Sequence, residues 1–332
     1  MPESIVQFFN VFESAEELPL VAAFVAILAA TIRSARTRYP RSVAGQIAAP
    51  GGAIAPTWNL TDAVRTRVYR LLSFHDRLMA AIAGEHPERR LWHPQWLSVK
   101  DLYRDLHRIL PTLRGRVLDV GCLGKPYSRW LSHVDAHVGA DVKPGPAVDV
   151  LIRDGERWPL ESGEFQSLLC TQVLQGVRTL PHLVREIDRV LEVGGMAVIT
   201  TPFVYNDMTT QLERETYEDF WRHTILGVHE LFAERFEIVE LRRQGGFGST
   251  SGTMFLNWVQ FSLSRSTASR LLLAMLLPFW LLVCLLVNIT GWVVDKLDKT
   301  DIFYGNVLLV VRKKAHNPGG DQAGERAHSS AL

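Results

Sequence analysis

Short apolar runs alternate with helical periodicity through the middle of the chain. The runs that predict buried strands are RVLDVGC, AHVGADV, FQSLLCT, MAVITTP and EIVELRRQ. The segments that predict helices are KPYSRWLSHV, TILGVHELFAERF and LPHLVREIDRVLEVGG, the last of which would end at its two glycines. Strands separated by helices of about 10 to 15 residues indicate parallel βαβ units. We therefore predict an α/β fold with a doubly wound sheet.

The segments on either side of this region have other patterns. Residues 46–58 contain much Gly, Ala and Pro and predict a linker. Residues 59–112 predict a helical extension or lid with two helices. Between these helices, RRLWHPQWL fits either a membrane-interface belt or ordinary half-buried tryptophans. Residues 315–332 lack periodicity and predict a disordered tail.

An apolar stretch from Leu18 to Ile32 lies in the first predicted segment, residues 1–45. Acids precede it and arginines follow it, which reverses the charge order of a signal peptide. Its 15 residues would cover ~22 Å as a helix, less than the ~30 Å hydrocarbon core of a bilayer. A membrane-associated helix and a packed apolar helix both fit this pattern.

A second apolar stretch, Leu271 to Val294, has 24 residues without a charge and is long enough to span a bilayer. The chain then continues into DIFYGNVLLVVRKK, which predicts a further strand of the sheet. Pro278 and the segment Asn288 to Gly291 offer two breaks in a helix. The function of the stretch therefore depends on where the strands around it lie.

Composition and cysteine usage narrow the partners. The formal net charge is +1, so nothing in the charge balance indicates nucleic acid. The three cysteines lie far apart, with no CxxC and no histidine spacing that suggests a metal site. We predict no nucleic-acid partner, no metal and a reduced, cytosolic catalytic portion.

Acids and glycines follow the predicted strands at the ends where α/β sheets bind ligands. Asp119 and Gly121 end the first strand, and with Gly124 the glycines allow a tight turn close to a ligand. Asp141 ends the second strand, where a carboxylate can accept hydrogen bonds from ribose hydroxyls. Asp154 follows the third strand, and CTQVL ends the fourth. The sequence therefore predicts a nucleoside-type ligand at this edge.

An ordered series of motifs carries a family resemblance. RVLDVGCLGKPY, GADV, DGERWPLESGEFQSLLCTQVLQGV, REIDRVLEVGGMAVITTPFVY and DFWRHT together resemble a class I S-adenosylmethionine-dependent methyltransferase. The resemblance covers about Arg114 to Arg243, with the strand at 302–312 as its last member, and the branch is that of cell-envelope and glycan-cluster methyltransferases. It implies a Rossmann-like sheet, mostly parallel with the last strand antiparallel, and S-adenosyl-L-methionine as cofactor.

Position by position, the resemblance implies cofactor contacts. The glycine turn would lie against the methionine part of the cofactor, Asp141 would bind the ribose and Asp154 would lie beside the adenine. The end of the fourth strand would face the sulfonium and the substrate. The implied cofactor-binding residues are Asp119, Gly121, Cys122, Gly124, Asp141, Asp154, Cys170, Thr171 and Gln172.

The chain departs from the family pattern at several positions. Leu123 stands where a second glycine is usual and could crowd the cofactor, and Lys125 stands where a small residue is common. Gln175 and Gly176 replace the usual Glu-His, and Gln166 replaces an acid. These departures leave a catalytically silent domain open as an alternative.

Candidate catalytic residues lie in the loop after the fifth strand. Positioning supplies much of the rate of methyl transfer, although an oxygen acceptor also needs a base. His223 has a suitable pKa for that role, and Asp207 is a second candidate. A residue packed at the start of a helix is the alternative for His223. Tyr205, Tyr217 and Arg222 are candidate substrate contacts.

The resemblance also constrains the second apolar stretch. The last two strands of the family form an antiparallel pair, so the chain must leave and return on one face of a membrane. We predict a monotopic insertion over 263–300, between a core at 113–262 and a final strand at 301–314. The basic residues that flank it and fit a cytoplasmic membrane face are Arg265, Arg270, Lys296 and Lys299.

These expectations combine into one predicted function. The protein would transfer methyl groups from S-adenosylmethionine to a lipid-linked or membrane-proximal glycan or small molecule, at the cytoplasmic side of a membrane. Two alternatives remain open at this point. One is a non-catalytic scaffold at the membrane, and the other is a soluble small-molecule methyltransferase whose apolar runs pack as core or interface.

Overall fold

The structure is a computed structural model that describes residues 77–208, 218–264 and 267–315. Its strands are β1 (Arg116–Val120), β2 (Ala136–Asp141), β3 (Val150–Leu151), β4 (Phe165–Thr171), β5 (Leu191–Pro202), β6 (Phe236–Gln244) and β7 (Asn306–Lys313). They form one sheet in the order β3-β2-β1-β4-β5-β7-β6. Strands β1 to β5 run parallel, and β7 lies antiparallel between β5 and β6. The predicted fold class is confirmed.

Six α-helices with defined bounds lie within the described residues. They are α1 (Trp96–Ile109), α2 (Leu180–Val190), α3 (Ile225–Ala233), α4 (Phe247–Leu263), α5 (Thr267–Met275) and α6 (Leu277–Leu297). Residues 77–83 are also helical. Helix α3 begins where the Thr224 side chain accepts a hydrogen bond from the Gly227 amide at 3.1 Å, an N-cap that satisfies one free amide of the first turn.

The sheet is covered on both faces by apolar side chains. Successive strand residues point to opposite faces, so Leu168 and Leu169 of β4 belong to different core clusters. The cluster with Leu168 includes the buried residues of α2 and α3, and the cluster with Leu169 includes those of α1. This packing holds the carboxyl ends of β1, β2 and β4 in fixed positions for a site.

Two predicted helices differ from the structure. The segment 125–134 is not an α-helix and contains only a 3₁₀ turn, Ser128–Trp130. Lys125 precedes Pro126 and has a φ of 49°, which is incompatible with a regular helix start. Helix α2 ends at Val190 and not at the glycine pair, because β5 already begins at Leu191, which pairs with Phe165 of β4.

Helices α4 to α6 occupy the chain between β6 and β7. This helical region begins at Phe247, whereas the insertion was predicted to start at residue 263. The predicted boundaries of the other segments are not tested by the structure. By length and composition α6, with 21 residues, is the one described helix that could cross a membrane. The break predicted at Pro278 is confirmed, since α5 ends at Met275 and Pro278 is the second residue of α6.

The break predicted over Asn288 to Gly291 is wrong, because α6 is continuous there. The Asn288 side chain is fully buried and donates hydrogen bonds to the carbonyls of Leu91 and His93, so it serves packing outside its own helix. Gly291 lies against Gly248 of α4, where a Cβ on Gly291 would stand 2.8 Å from the Gly248 carbonyl oxygen. Both residues therefore fix α6 to its neighbours.

The described chain divides into two compact units. One holds residues 83–257 and 283–315, and the other holds 77–82 and 258–282. The sheet and the contacts between the first part of α4 and the second part of α6 belong to the first unit. There, Asp295 accepts the Ser249 amide at 2.8 Å and Asp298 accepts the Phe247 amide at 3.2 Å. Acids at the N-terminus of α4 complement its helix dipole.

Gly291→Ala should destabilise the fold, because the added Cβ requires α4 and α6 to move apart at a backbone contact. We expect a loss of about 1–3 kcal/mol in the free energy of unfolding, measured by urea denaturation in mild detergent. Gly227→Ala in α3 is the matched control, since its Cβ would meet nothing closer than 3.4 Å. Equal stability of the two variants would contradict the close helix crossing.

Candidate functional site

The glycine turn after β1 lies at the carboxyl end of the sheet, as predicted. Gly121 has a φ of 70°, and a Cβ there would stand 2.4 Å from Val173 Cγ2, so only glycine fits without a shift. The Gly121 amide donates to the Ala140 carbonyl of β2 at 2.8 Å. A Cβ at Gly124 would meet nothing within 4 Å, so the space beside Gly124 is open.

Asp119 is buried at the end of β1 and is held by a histidine. His137 Nε2 donates to Asp119 Oδ2 at 3.0 Å, and only 2% of Asp119 is exposed. Burial raises the pKa of the Asp119 carboxyl, and the hydrogen bond from His137 opposes that effect. The carboxylate therefore lies in an environment that disfavours its charge, as is common at functional sites.

Asp141 joins β2 to the glycine turn. Its Oδ2 accepts the Leu123 amide at 3.1 Å and its Oδ1 accepts the Lys143 amide at 3.2 Å. A carboxylate has about four acceptor positions, so two hydrogen bonds leave capacity for a ligand with two hydroxyl groups. The glycine turn and the acid of β2 therefore lie together at one edge of the sheet.

Asp154 lies beyond β3 and contacts the chain before α2. Its carboxylate accepts the Arg178 amide at 2.8 Å and the Thr179 hydroxyl. These bonds fix the loop after β3 to the start of α2, at the same edge as Asp119 and Asp141. Both carboxylate oxygens of Asp154 thus have protein partners, and the residue is exposed to solvent.

The end of β4 contributes residues with different environments. Cys170 is fully buried, and burial raises the pKa of its thiol, so its side chain is a core residue. Tyr127, in the KPY motif after the glycine turn, is buried near Thr171, and burial raises the pKa of its hydroxyl. Gln172 has a φ of 56° and donates to Thr200 Oγ1 at 3.2 Å and Asn306 Oδ1 at 3.3 Å. The side chain of Cys122 is also buried, and burial raises the pKa of its thiol to about 11.

His223 lies buried beside the end of β5. Its Nδ1 is 3.4 Å from Thr201 Oγ1, and its Nε2 has no hydrogen-bond partner among the described residues. Burial lowers the pKa of the imidazole, with a further contribution from Arg222. The ring is therefore neutral near pH 7 and keeps one nitrogen as an acceptor. A buried polar nitrogen without a protein partner costs ~1–3 kcal/mol, unless a water or a ligand occupies the free position.

The other loop candidates have distinct placements. Arg222 is engaged with Asp219, with one N–O distance of 2.6 Å, and also donates to the Asn206 carbonyl at 3.1 Å, so it orders the loop. The Tyr205 hydroxyl accepts from Gln95 Nε2 at 3.3 Å. Asp207 is exposed. Tyr217 lies outside the described residues.

The structure gives physical reasons for several departures from the family pattern. Leu123 has a φ of 46° and is 75% exposed, so the residue at the usual glycine position keeps a left-handed backbone. Lys125 Nζ donates to Asp149 Oδ2 at 2.5 Å and the His137 carbonyl at 2.8 Å, which fixes the turn to β2. Gln166 lies at the opposite end of β4, where its Oε1 accepts the Arg116 amide at 2.9 Å.

The pair Gln175 and Gly176 brings the loop 218–221 close to β4. The Gln175 carbonyl accepts the amides of Phe220 at 2.7 Å and Trp221 at 3.1 Å. A Cβ at Gly176 would stand 2.8 Å from the Glu218 carbonyl oxygen. The glycine that replaces the usual histidine is therefore required by this close approach.

Sequence reasoning missed two residues that support the site, His137 and Tyr127. Asp119 pairs with Gly139, and His137 precedes Gly139 by two positions, so it shares a sheet face with Asp119. Strand alternation predicts this contact once the register is known. The position of Tyr127 depends on the non-helical turn at 125–131, which the sequence pattern did not predict.

Part of the chain matches a known protein family. Residues 118–199 match a family model described as a methyltransferase domain. No curated protein matched the chain. Among solved structures, the cyclase SpnF is similar with 19% identity, 75% of this chain and 96% of that chain covered, and a TM-score of 0.45.

Two further solved structures are similar to the chain. An S-adenosylmethionine-dependent methyltransferase from Mesorhizobium loti has 15% identity, with 65% of this chain and 100% of that chain covered, and a TM-score of 0.41. Phosphoethanolamine N-methyltransferase 2 from Haemonchus contortus, in complex with S-adenosyl-L-methionine, has 14% identity, with 74% and 60% covered, and a TM-score of 0.39.

Asp119→Asn should change the pH dependence of stability. Because burial raises the folded-state pKa, the folded protein binds a proton more tightly than the unfolded chain. Wild-type stability is therefore lost as pH rises from the unfolded value near 4 through the folded pKa, and the asparagine variant lacks this loss. Between pH 4 and pH 8, the free energy of unfolding of the variant should rise relative to that of wild type by about 1.4 kcal/mol per unit of pKa shift, as measured by urea denaturation.

The control is Asp135→Asn, an exposed acid near the start of β2. This variant removes one carboxylate outside the buried site and reports the effect of the charge change alone. A constant difference between wild type and Asp119→Asn across this pH range would contradict the raised pKa.

Proposed function

Because the chain carries a methyltransferase domain of the class I fold, we propose that it transfers a methyl group from S-adenosylmethionine to a hydroxyl group of a lipid-linked or membrane-proximal acceptor, at the cytoplasmic face. The observation that carries the proposal is the convergence of the glycine turn, Asp119, Asp141 and the end of β4 at one sheet edge. Hydrogen bonds join the glycine turn to Asp141 and β2 to Asp119, and β4 pairs directly with β1.

The residues at this edge fit the cofactor chemically. Asp141 has acceptor capacity for ribose hydroxyls, and the open space beside Gly124 leaves room for the chain of the methionine part. The Leu123 side chain points to solvent, and its backbone amide donates a hydrogen bond to Asp141 within the turn. When bound, S-adenosylmethionine supplies a methyl group on a positively charged sulfur, which leaves as a neutral thioether.

His223 would act as the base for the acceptor hydroxyl. Burial lowers the pKa of its imidazole, so the ring is neutral and able to accept a proton at neutral pH. The unpartnered Nε2 is the atom we assign to this step. Thr201, near Nδ1, would hold the orientation of the ring.

Helix α4 supports a membrane-proximal acceptor, because its polarity is reversed with respect to a surface helix of a soluble protein. In its first part, Ser249, Thr253 and Asn257 are buried, whereas Phe247 and Phe255 are about 45% exposed. A soluble surface helix shows the opposite arrangement. The inner face reaches the loop of candidate substrate residues, since Asn257 Nδ2 donates to Asn206 Oδ1 at 2.7 Å.

The second part of α6 has the same reversed exposure. Cys284 and Asn288 are buried, and the exposed face is mostly apolar, with Thr290 and Lys296 as exposed polar residues. Its exposed apolar residues are Leu286, Ile289, Trp292, Val293 and Leu297. Contiguous exposed apolar side chains mark an interaction surface, and the reversed helices favour lipid over water as their environment. This surface is less compatible with a soluble small-molecule methyltransferase.

A catalytically silent scaffold is the competing function. It is favoured by one observation, the non-glycine residue Leu123 with a φ of 46° at a usual glycine position. The scaffold and the enzyme differ in whether the glycine turn binds the cofactor, which a direct titration separates.

Calorimetric titration with S-adenosylmethionine should detect binding to the wild-type protein. Asp141→Asn removes one negative oxygen that would accept ribose hydroxyls, and we expect affinity to fall roughly tenfold to a hundredfold, since charged hydrogen bonds contribute ~1.5–3 kcal/mol. Asp135→Asn is the matched control and should bind like wild type. The absence of heat for wild type at millimolar cofactor would favour the scaffold.

His223→Ala should lower methyl transfer without weakening cofactor binding. General base catalysis contributes ~10²–10⁴-fold, so we expect a loss of at least about a hundredfold. The measurement is transfer of labelled methyl from S-adenosylmethionine to membranes from a host strain that lacks the protein. His229→Ala, on the exposed surface of α3, is the control. Full turnover by His223→Ala would remove this residue from the mechanism.

A further inference from the structure

A cavity of about 480 Å³ lies beside the end of β6, at the same carboxyl-end edge of the sheet as the glycine turn but on the far side of β4, β5 and β7 from it. Its wall is formed by α1, the turn after β6, the C-terminal end of α6 and the segment before β7. All these residues belong to one compact unit. The methyltransferase site, at the ends of β1, β2 and β4, does not include this cavity.

Every carboxylate in the wall has a partner within the protein. Asp101 accepts Lys100 Nζ at 2.7 Å and Arg104 Nη1 at 2.7 Å. Asp295 accepts the Ser249 amide at 2.8 Å and lies 3.1 Å from Lys100 Nζ. Asp101 and Asp295 therefore neutralise Lys100 and Arg104, and Asp295 also accepts a backbone amide in the first turn of α4.

The two remaining acids are also engaged. Asp298 accepts the Thr300 hydroxyl and the amides of Thr300 and Phe247, and these hydrogen bonds hold the pKa of its carboxyl below the ordinary value. Asp301 Oδ2 lies 2.9 Å from Arg243 Nη1. No acid of the wall is left to face the cavity without a partner.

Two cations of the same wall lack such partners. Within the described ranges, no carboxylate oxygen lies within 4.0 Å of Lys296 Nζ or Lys299 Nζ. The Lys296 amine lies 5.5 Å from the centre of the Trp292 ring, and both lysines are exposed. The charge that the cavity can offer to a ligand is therefore positive, although equal numbers of acids and bases line it.

Aromatic and apolar side chains adjoin these lysines. Trp292 and Phe303 line the cavity and are 45% and 41% exposed. The Phe303 ring packs edge-to-face with Phe247 at 5.1 Å between centroids. Exposed aromatic rings beside lysines are typical of the membrane–water interface, where the ring lies at headgroup depth and the amine meets phosphate.

We propose that this cavity binds the phosphate of an anionic membrane lipid through Lys296 and Lys299, with Trp292 and Phe303 against the upper part of the lipid. This inference rests on the proposed membrane association and extends it to a defined headgroup site. The lipid would fix the height and rotation of the sheet edge at the membrane. The site is therefore an anchoring site and takes no part in methyl transfer.

A soluble lipid probe tests the headgroup site directly. Dibutyryl phosphatidylglycerol below its micelle concentration should bind the full-length protein with a saturable 1:1 isotherm in calorimetry. Lys296→Gln with Lys299→Gln should weaken binding roughly 10- to 30-fold, from ~1 kcal/mol for each lysine near a lipid phosphate. Lys296→Arg with Lys299→Arg keeps the charge and should retain most of the affinity.

The control for charge alone is Arg157→Gln with Arg185→Gln, two exposed arginines outside the cavity. It should bind the probe like wild type. Inorganic phosphate forms the second arm, and binding of phosphate as tight as that of the lipid would show a free-anion site. The headgroup proposal would be overturned if the wild-type protein did not bind the lipid probe. It would also be overturned if the double glutamine variant bound the probe as tightly as wild type.

A vesicle arm separates this inference from the membrane proposal. Leu286→Glu with Ile289→Glu should reduce cosedimentation with phosphatidylglycerol vesicles while leaving binding of the soluble probe intact. If wild type binds the probe but no vesicles, the membrane proposal fails and the headgroup assignment to a membrane lipid fails with it. The cofactor titration is independent of both results, so loss of lipid binding with intact cofactor binding overturns only this inference.

Discussion

The pairing of β6 with β7 is the constraint on which the rest of the structure depends. Gln244 pairs with Asn306 at the last step of this antiparallel ladder, so the chain that leaves the sheet at residue 244 must return to the same point. Helices α4 to α6 fill the intervening chain. An apolar run long enough to span a bilayer is thus held between two ends a strand spacing apart, about 5 Å. One crossing of a membrane would separate those ends, which is the reason we favour an insertion that enters and leaves on one face.

The same constraint accounts for the unusual chemistry of the helices. The inner faces of α4 and α6 carry polar groups and glycine, such as Ser249, Asn288 and Gly291. These residues contact the other of the two helices or the chain that precedes α1. Apolar residues of the second part of α6, such as Leu286 and Ile289, are left on the outer face. An arrangement with polar groups inside and apolar groups outside is stable only if something other than water covers the outer face. The coupling of α4 to Asn206 would then connect the covered face to the loop of candidate acceptor contacts.

Much of the sheet and the cofactor edge could be predicted from the sequence, because both depend on local patterns. Buried strands ending in Asp119 and Asp141 are readable from apolar runs, and their side-by-side position follows from parallel topology. The errors arose where tertiary contacts overrode local signals. Pairing of Leu191 with Phe165 began a strand before the glycines, and the hydrogen bonds of Asn288 kept a helix continuous through a sequence that favours a turn. The contact of Asp119 with His137 depends on register, which apolar runs alone do not define.

The departures from the family pattern can be understood as a set once the contacts are known. Gly176 admits the loop 218–221 against β4, and that loop carries Asp219, whose ion pair with Arg222 orders the chain just before His223. A histidine at position 176 would place a Cβ where the Glu218 carbonyl lies. The usual residue is thus absent because another segment occupies its space, and this segment brings its own buried histidine to the end of β5. The Nε2 atom of this histidine has no protein partner among the described residues and is therefore available to an acceptor hydroxyl. For this reason we regard the altered residues as a rebuilt acceptor side and favour an active enzyme over a silent scaffold.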